Sequence, residues 1–434
     1  MKAVARRKSA LVFLLLCVMV VVLSPWADAP PPSSSFIAVM EGEALATAEP
    51  EVEEEISSLL VEVAMDEGEF AALSALNEDF AFRHPDIEVE LRRIAPEEAH
   101  EIYRQAAELE EAADIMLFEN EWVKAFAAAG YLLPSDAAFA GKSLAEQFEA
   151  LSGPLKWNGF LWGVPKDMDP LVLVWNTELL SAWLGEGVAL PLTVEQWTAA
   201  AKAGAEAGGA QSWLAMDGHD PLALLAWMES ATGERSDDWW TRGSSVWSGT
   251  VQEQALALLV QQLAGVAFTD DDRQAIQAVR AGDVLAAIVP NSEAAALERE
   301  LNAEGSSALE IDHRSWRLPF TWPRGRSYVI SSRTASEEAA SVWIAEMTAE
   351  QAQLQQMEQR DLLPVYRSFY DGDRQLSNLI PGRANQAFPS LSPELSGPEA
   401  SERLRQLGEL WSGLSEGRLT LDAWKAQWGE AFAD

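Results

Sequence analysis

Strand-like apolar runs alternate with amphipathic helical patterns after residue 56, and this alternation constrains the fold more than any other feature of the sequence. The strand-like runs are LLVEVAM at 59–65, IEVELRR at 87–93 and ADIMLFE at 113–119. A helical pattern with apolar residues on one face, from Phe70 to Phe80, separates the first two runs, and a second helical pattern at about 97–109 precedes the third. The order strand, helix, strand, helix, strand predicts a doubly wound α/β layer.

The rest of the chain predicts a second α/β region and further strands and helices. Two strands are predicted at 171–176 (LVLVWN) and 284–290 (VLAAIVP), and a helix begins with the capping pattern from Thr193 to Gln196. The last predicted elements are a strand at 327–332, helices at about 336–348 and 350–359, and two helices between 398 and 432 that separate near Gly417. Because 434 residues are far more than one average domain needs, two lobes with separate cores are expected.

The N-terminal segment predicts export. In residues 1–29, basic residues from Lys2 to Lys8 precede an apolar run from Ala10 to Leu23, which is the layout of a signal peptide. The run from Ala10 to Leu23 is shorter than the roughly 20 apolar residues that a membrane-spanning helix needs, which favours a signal peptide. An uncleaved N-terminal membrane anchor is the alternative. Cys17 is the only cysteine, so no intramolecular disulfide can form. Cys17 is either a residue of the apolar core of the signal or a site of lipidation. Residues 30–56 are rich in Pro and Ser and then in Glu, which predicts a disordered spacer.

Charge and motif content exclude several classes of function. The chain carries 31 basic and 68 acidic residues, a formal charge of −37, which disfavours nucleic acid and anionic lipid as partners and favours a monomer. The four histidines are spread without HExxH spacing, so no metal site is expected. No G-x-S-x-G elbow, Walker loop or G-x-G-x-x-G is present, so we expect neither catalytic residues nor a cofactor. A secreted glycan-active enzyme with paired carboxylates remains a remote alternative, because such pairs are placed in space rather than in sequence.

A polar break follows the buried run at 115–118. Glu119, Asn120, Glu121 and Trp122 come directly after it and open an Ala-rich helical pattern. In open α/β sheets ligands lie beyond the carboxyl ends of the strands, so this break predicts a binding segment. The alternative is a helix N-terminus whose acidic residues only favour the helix dipole.

Five segments resemble, in the right order, the extracellular solute-binding proteins of family 1, the sugar-binding subunits of ABC importers related to maltose-binding protein. Beside the polar break at 113–136, the similar segments are 59–93, 157–180 (WNGFLWGVPKDMDPLVLVWNTELL), 191–202 (PLTVEQWTAAAK), and 320–348 with 362–370. The resemblance implies an α/β, two-lobed, periplasmic-binding-protein-like fold of type II, with discontinuous lobes joined by a hinge. It implies a first lobe at 57–168 plus 319–363 and a helix-rich second lobe at 169–318 plus 364–434.

The same resemblance implies a function. An extracytoplasmic protein of this kind binds a solute, here a carbohydrate or oligosaccharide, and delivers it to ABC permease subunits in the membrane by closing its cleft. The alternative from another class is a sensor that presents its closed state to a membrane receptor kinase. No catalytic activity is implied.

The resemblance also carries ligand contacts onto this sequence. The implied contacts are Phe118, Glu121 and Trp122 after the third strand, Asp169 with Asp167 at the crossover, Asp66 and Glu67 after the first strand, and Trp213, Asp217 and His219 in the second lobe. Where the family often has a stacking tryptophan after the strand at 284–290, this chain has Asn291, which is included among the expected ligand contacts. Either Trp322, Trp239 or Trp240 replaces the missing ring, or the ligand is not a simple oligosaccharide. Arg324 and Arg326 predict either an anionic ligand of the uronate type or pairing at the surface with local Glu residues. Trp175, Trp197, Trp343 and Trp424 are predicted core residues because they lie on apolar faces.

Overall fold

The computed structural model describes residues 56–138, 146–207, 211–304, 308–312, 322–370 and 391–432. The signal, the spacer and Cys17 lie outside these residues. Glu54–Asp434 forms one compact unit, and it contains two larger β-sheets, each covered by helices. Among the described residues, no helix combines the length and apolar character needed to cross a bilayer.

The first sheet contains the three strands predicted at the start of the fold. Its strands are β1 (Ser57–Ala64), β2 (Ile87–Ile94), β3 (Ile115–Glu119), β4 (Leu132–Leu133), β7 (Val164–Met168) and β13 (Gly325–Ser331). The order is β2-β1-β3-β13-β4, with β7 also paired to β13. Strand β1 is parallel to β2 and β3, whereas β13 runs antiparallel to β3, β4 and β7. Because β13 follows the second sheet in sequence, the first sheet is built from discontinuous parts of the chain.

The second sheet is formed by the intervening part of the chain. Its strands are β8 (Leu171–Asn176), β9 (Leu214–Met216), β10 (Val266–Phe268), β11 (Ala286–Pro290) and β12 (Leu309–Asp312). The order is β10-β9-β11-β8-β12, in which β9 is parallel to β10 and β11, and β8 is antiparallel to β11 and β12. A two-stranded hairpin of β5 (Lys156–Trp157) and β6 (Phe160–Leu161) precedes β7.

Helices cover both sheets. The helices are α1 (Glu67–Arg83), α2 (Ala99–Glu108), α3 (Asn120–Ala128), α4 (Glu149–Ser152), α5 (Thr177–Leu184), α6 (Val194–Glu206), α7 (Pro221–Thr232), α8 (Trp239–Arg242), α9 (Val251–Gln261), α10 (Asp272–Ala281), α11 (Asn291–Glu304), α12 (Glu337–Met347), α13 (Glu350–Arg360), α14 (Ala400–Ser415) and α15 (Leu421–Ala431). The capping box predicted at the start of α6 is confirmed, since Thr193 and Gln196 exchange hydrogen bonds with each other's backbone N–H. The separation of the last two helices near Gly417 is confirmed as well.

Strand alternation builds a hydrophobic cluster on each face of each sheet. In β3, Ile115 and Leu117 pack in one cluster while Met116 and Phe118 pack in the other, because successive side chains of a strand point to opposite faces. Strand β8 divides its residues between two clusters in the same way. The four tryptophans predicted as core residues are fully buried, which confirms that prediction; they are Trp175, Trp197, Trp343 and Trp424.

Three passages of the chain meet where β7 leads into β8. Met168, the last residue of β7, exchanges backbone hydrogen bonds of 3.1 and 3.0 Å with Leu363. The backbone N–H of Asp169 donates to the carbonyl of Pro323 at 3.1 Å, just before β13 begins. The junction between the two sheets is therefore held by backbone hydrogen bonds rather than by side-chain packing alone.

Candidate ligand-binding site

A cavity of about 890 Å³ lies between elements of the two sheets. One wall comes from the end of β3 and the start of α3, with Glu119, Glu121 and Trp122, and from His100 of α2. The opposite wall comes from the residues before and at the start of α7, including His219 and Asp220, and from one face of α14. A cavity of this volume is in the range of small-molecule sites.

A second cavity of about 390 Å³ lies beside the first. It is lined by residues from the loop after β1, from the sheet junction at Asp169, and from the first turn of α11 at Ser292. Glu119 and Arg324 line both cavities, so the two spaces share a common wall. We call the two cavities together the cleft.

The polar break after β3 forms the first wall of the cleft. Strand β3 ends at Glu119 and α3 begins at Asn120, and the Glu119 side chain makes no hydrogen bond that caps the helix. The carboxyl of Glu119 therefore faces the cavities instead of acting as an N-cap. Trp122 is half-buried one turn later, and its indole contacts the ring of His100 edge-on at a centroid distance of 5.1 Å.

Burial raises the pKa of the acidic groups in this wall. Removal from water raises the pKa of Glu119 to about 8, against the opposing charge of Arg326, and raises the pKa of Glu121 to about 7. Neither carboxyl has an ion-pair partner among the described residues. Both side chains therefore remain available to a ligand.

Arg324 lies at the centre of the acidic groups of the cleft. Its guanidinium is 4.0 Å from the carboxylate of Asp220 and feels the charges of Asp169, Glu119 and Asp272. The residue has φ of 46°, in the left-handed region that costs a non-glycine residue conformational energy. This unusual conformation places one cation among carboxylates from both sides of the cleft.

Asp169 connects the sheet junction to α11. Its two carboxylate oxygens accept hydrogen bonds from the backbone N–H of Ser292 at 2.9 Å and from the Ser292 hydroxyl at 2.7 Å. Burial raises the pKa of Asp169 to about 6 even though these hydrogen bonds favour the ionised form. Asp169 thus has a positioning role at the start of α11 in addition to lining the smaller cavity.

Arg326 belongs to a buried ionic cluster instead of reaching freely into the cleft. It donates to both carboxylate oxygens of Asp167, at 3.0 and 2.6 Å, and to both oxygens of Glu69, at 3.0 and 2.6 Å. Lys166 contacts Asp167 and lies 3.7 Å from Glu69. Arg326 is paired with acidic side chains, as one of the two alternatives had it, but the pairing is buried and its partners are distant in sequence rather than local and at the surface.

The structure brings six of the thirteen predicted contact residues to the cleft. Glu121, Trp122 and His219 line the larger cavity, Asp66 and Asp169 line the smaller one, and Arg324 lines both. Asp66 also caps α1 by accepting from the N–H of Glu69 at 2.8 Å, and it pairs with Arg360.

Four predicted contacts are buried and line neither cavity, which corrects their assignment. Phe118 is fully buried because strand alternation turns it toward α2 and α3. Trp213 and Trp322 are buried in the core of the second sheet, where their indole N–H groups donate to the Gln262 carbonyl and the Ser236 hydroxyl. Asn291, at the start of α11, has no exposed surface. Trp239 and Trp240 are buried too, so no candidate for the replacement stacking ring reaches the cleft.

Three further predicted contacts lie outside both cavities. Glu67 is exposed and pairs at 3.5 Å with Arg93. Asp217 accepts from the backbone N–H of His219 at 2.7 Å, a local turn contact. Asp167 is held within the ionic cluster with Lys166 and Arg326.

Several cleft residues were missed by sequence reasoning. Glu119 was placed in the predicted binding segment but not among the implied ligand contacts, although it is the last residue of β3 and strand ends form binding edges. The contribution of α14, which lines the larger cavity with Leu404, Arg405 and Ser412, had no such signal. The sequence of α14 shows only an ordinary amphipathic helix, and its position against α3 depends on the tertiary path of the chain.

The fold described above is similar to those of known solved structures. The GacH receptor of Streptomyces glaucescens, solved unliganded and in complex with acarbose, shares 21% identity and a TM-score of 0.67 over 87% of this chain and 97% of its own. The sugar-binding protein MalE of Xanthomonas citri shares 18% identity and a TM-score of 0.63 over 86% of this chain and 96% of its own. A solute-binding protein of an ABC transporter from Thermotoga lettingae, bound with α-D-tagatose, has a TM-score of 0.66 at 14% identity, over 87% of this chain and 98% of its own.

Two discontinuous α/β lobes with a cavity between their elements define the two-lobed fold that these solved structures share. The model of the family described as bacterial extracellular solute-binding protein matches residues 75–378, more than half of the chain. The chain belongs to that family, which acts outside the cytoplasm and consists of binding proteins rather than enzymes.

Proposed function

We propose that this protein binds a carbohydrate in the cleft and delivers it to the permease subunits of an ABC importer. The observation that carries the proposal is the larger cavity, which combines an indole with carboxyl and guanidinium groups from both sides. Sugars offer hydroxyls around the ring edge and C–H patches on their faces. Charged side chains such as Glu121 and Arg324 suit the hydroxyls, and the ring of Trp122 suits a sugar face.

Binding would drive delivery by shifting the population of lobe arrangements. A ligand that contacts both walls at once stabilises the closed arrangement, and its preference for that arrangement sets the size of the shift. Reversing a ratio of 99 to 1 requires about 5.5 kcal/mol of such preference. The permease would then recognise the closed form.

The proposal extends to the organisation of the whole chain. We assign residues 1–29 to an export signal or anchor and 30–56 to a spacer that lets a monomeric binding unit reach its permease. The lobe limits would be 57–168 plus 319–363 and 169–318 plus 364–434, because β7 ends and β8 begins on either side of Asp169 and Pro170.

A thermal-shift screen tests the proposal. Mono- and oligosaccharides should raise the melting temperature of the purified protein, because a ligand that binds only the native state adds about 2.7 kcal/mol of stability at 100 times its Kd. Amino acids and short peptides serve as control solutes of similar size. A shift with the control solutes and none with any saccharide would contradict the carbohydrate assignment.

A further inference from the structure

The first wall of the cleft presents two carboxyl groups to the larger cavity. Glu119 ends β3 and Glu121 lies in the first turn of α3, so both are fixed to regular backbone rather than to a loop. Among the described residues neither carboxyl is paired with a cation, and Glu119 does not cap its helix. Two fixed acceptors at one place in a cavity call for a ligand group that donates hydrogen bonds.

The cations that line the cleft are neutralised by the protein itself. Arg405 pairs with Glu402 and Glu409 on the same helix, and Arg418 pairs with Glu416. The arginines of the smaller cavity also have carboxylate partners; the pairs are Arg273 with Glu293, Arg299 with Asp361, Arg326 with Asp167 and Glu69, and Arg360 with Asp66. Arg324 is surrounded by acidic groups, as described above.

The resulting charge distribution disfavours an anionic ligand. A carboxylate or sulfate entering the cleft would meet arginines whose charge is already compensated, and it would lie close to the unpaired Glu119 and Glu121. Such an anion would find no uncompensated cation there, and either glutamate, once ionised, would repel it. The uronate-type ligand considered from the sequence therefore does not fit this cleft.

An aromatic ring stands next to the two carboxyls. Trp122 follows Glu121 directly, lines the same cavity, and is held against His100 and Phe118. Indole is the side chain with the strongest attraction for a cation placed over its face. A carboxylate pair beside an indole is a suitable environment for an ammonium group.

We propose that the natural ligand is an amino-substituted saccharide whose positively charged nitrogen is bound by Glu119 and Glu121 beside Trp122. This inference rests on the proposed function. An ammonium group donates charge-assisted hydrogen bonds, which are about twice as strong as those from a neutral hydroxyl. Burial raises the pKa of both carboxyls despite the opposing charge of Arg324, and a cation bound between them would favour their ionised form.

Matched saccharides provide the test. The first set contains β-1,4-linked oligosaccharides of glucosamine, of N-acetylglucosamine and of glucose, which share one backbone and differ only in the substituent at C2. Monosaccharides of the gluco, galacto and manno series extend each set. The corresponding uronic acids are the anionic members. Binding to the full chain is measured by calorimetry at about pH 6.5, so that the amines are charged. We expect at least one amine to bind about tenfold more tightly than its hydroxyl counterpart.

Two variants locate the effect. Glu119→Gln and Glu121→Gln should each weaken binding of the amine more than binding of the neutral sugar, so that the ratio of the two affinities falls severalfold. Glu149→Gln, which removes a carboxylate paired with Lys156 outside the cleft, makes the same side-chain change and should leave the preference intact.

The possible outcomes separate the two proposals. Tight binding of a hydroxyl, acetamido or uronate form without an advantage for the amine would overturn the amino-saccharide assignment and leave carbohydrate binding in place. An advantage for the amine that survives both variants would overturn the role of the two glutamates. A complete absence of binding across all sets would contradict both proposals.

Discussion

Replacing Arg326 with methionine should lower the free energy of unfolding by about 3 to 5 kcal/mol, because it leaves two buried carboxylates without their main partner. Arg326 is bound by Asp167 and Glu69, whose side chains are 3% and 11% exposed. Lys166 alone cannot balance both charges. Chemical denaturation followed by tryptophan fluorescence measures the change.

The pH dependence identifies the cause of this loss. Burial would raise the pKa of Asp167, but the charges of Arg326 and Lys166 lower it to about 2, and Glu69 is lowered in the same way. A lowered folded-state pKa gives stability that is present above the unfolded value, near 4, and is lost as the pH falls toward 2. The difference between wild type and Arg326→Met should therefore be largest near neutral pH and should shrink below about pH 4.

Arg333→Met is the matched control. Arg333 lies just beyond β13 and pairs with Glu110, but both side chains are more than half exposed, at 52% and 65%. An exposed pair of this kind contributes about 0 to 1 kcal/mol. Equal losses in the two variants would contradict the account of the buried cluster.

Replacing Trp122 with alanine should weaken saccharide binding by about 30-fold or more, since a buried aromatic contact at the centre of an interface is often worth 2 kcal/mol or more. The change removes the only indole that lines either cavity within the described residues. Calorimetric titration with the saccharide that gives the largest thermal shift measures the loss.

Trp162→Ala is the control for loss of packing. Trp162 is half-buried like Trp122, and its indole N–H donates to the Trp157 carbonyl at 2.8 Å, but it lines neither cavity. Both variants should lower the melting temperature, whereas only Trp122→Ala should lower affinity. Similar affinities for the two variants would remove Trp122 from the site.

Local pattern predicted the elements of the fold well. The strands β1, β3 and β8 and the helix with the capping box are read from periodicity and caps, which depend only on neighbouring residues. Strand alternation was also available from the sequence. Applied strictly to β3, it places Phe118 on the same face as Met116 and so inside the core.

Contacts between distant parts of the chain could not be predicted in this way. Arg326 and Glu69 are 257 positions apart, so their pairing depends on β13 returning to the first sheet. The cavity wall formed by α14 depends on the same long-range path. Trp213 was predicted as a ligand contact because it falls in a second-lobe loop of the type that the family uses, and Trp322 because it could replace the missing stacking ring. An indole whose N–H is satisfied nevertheless packs readily in a core.

The most direct test of the central claim is small-angle X-ray scattering of the protein with and without the saccharide that most increases its melting temperature. If the two lobes close on a ligand, saturating saccharide should lower the radius of gyration, and Trp122→Ala at the same concentration should show a smaller fall. A scattering profile that stays the same in the presence of a saccharide proven to bind would contradict closure of the cleft as the basis of function.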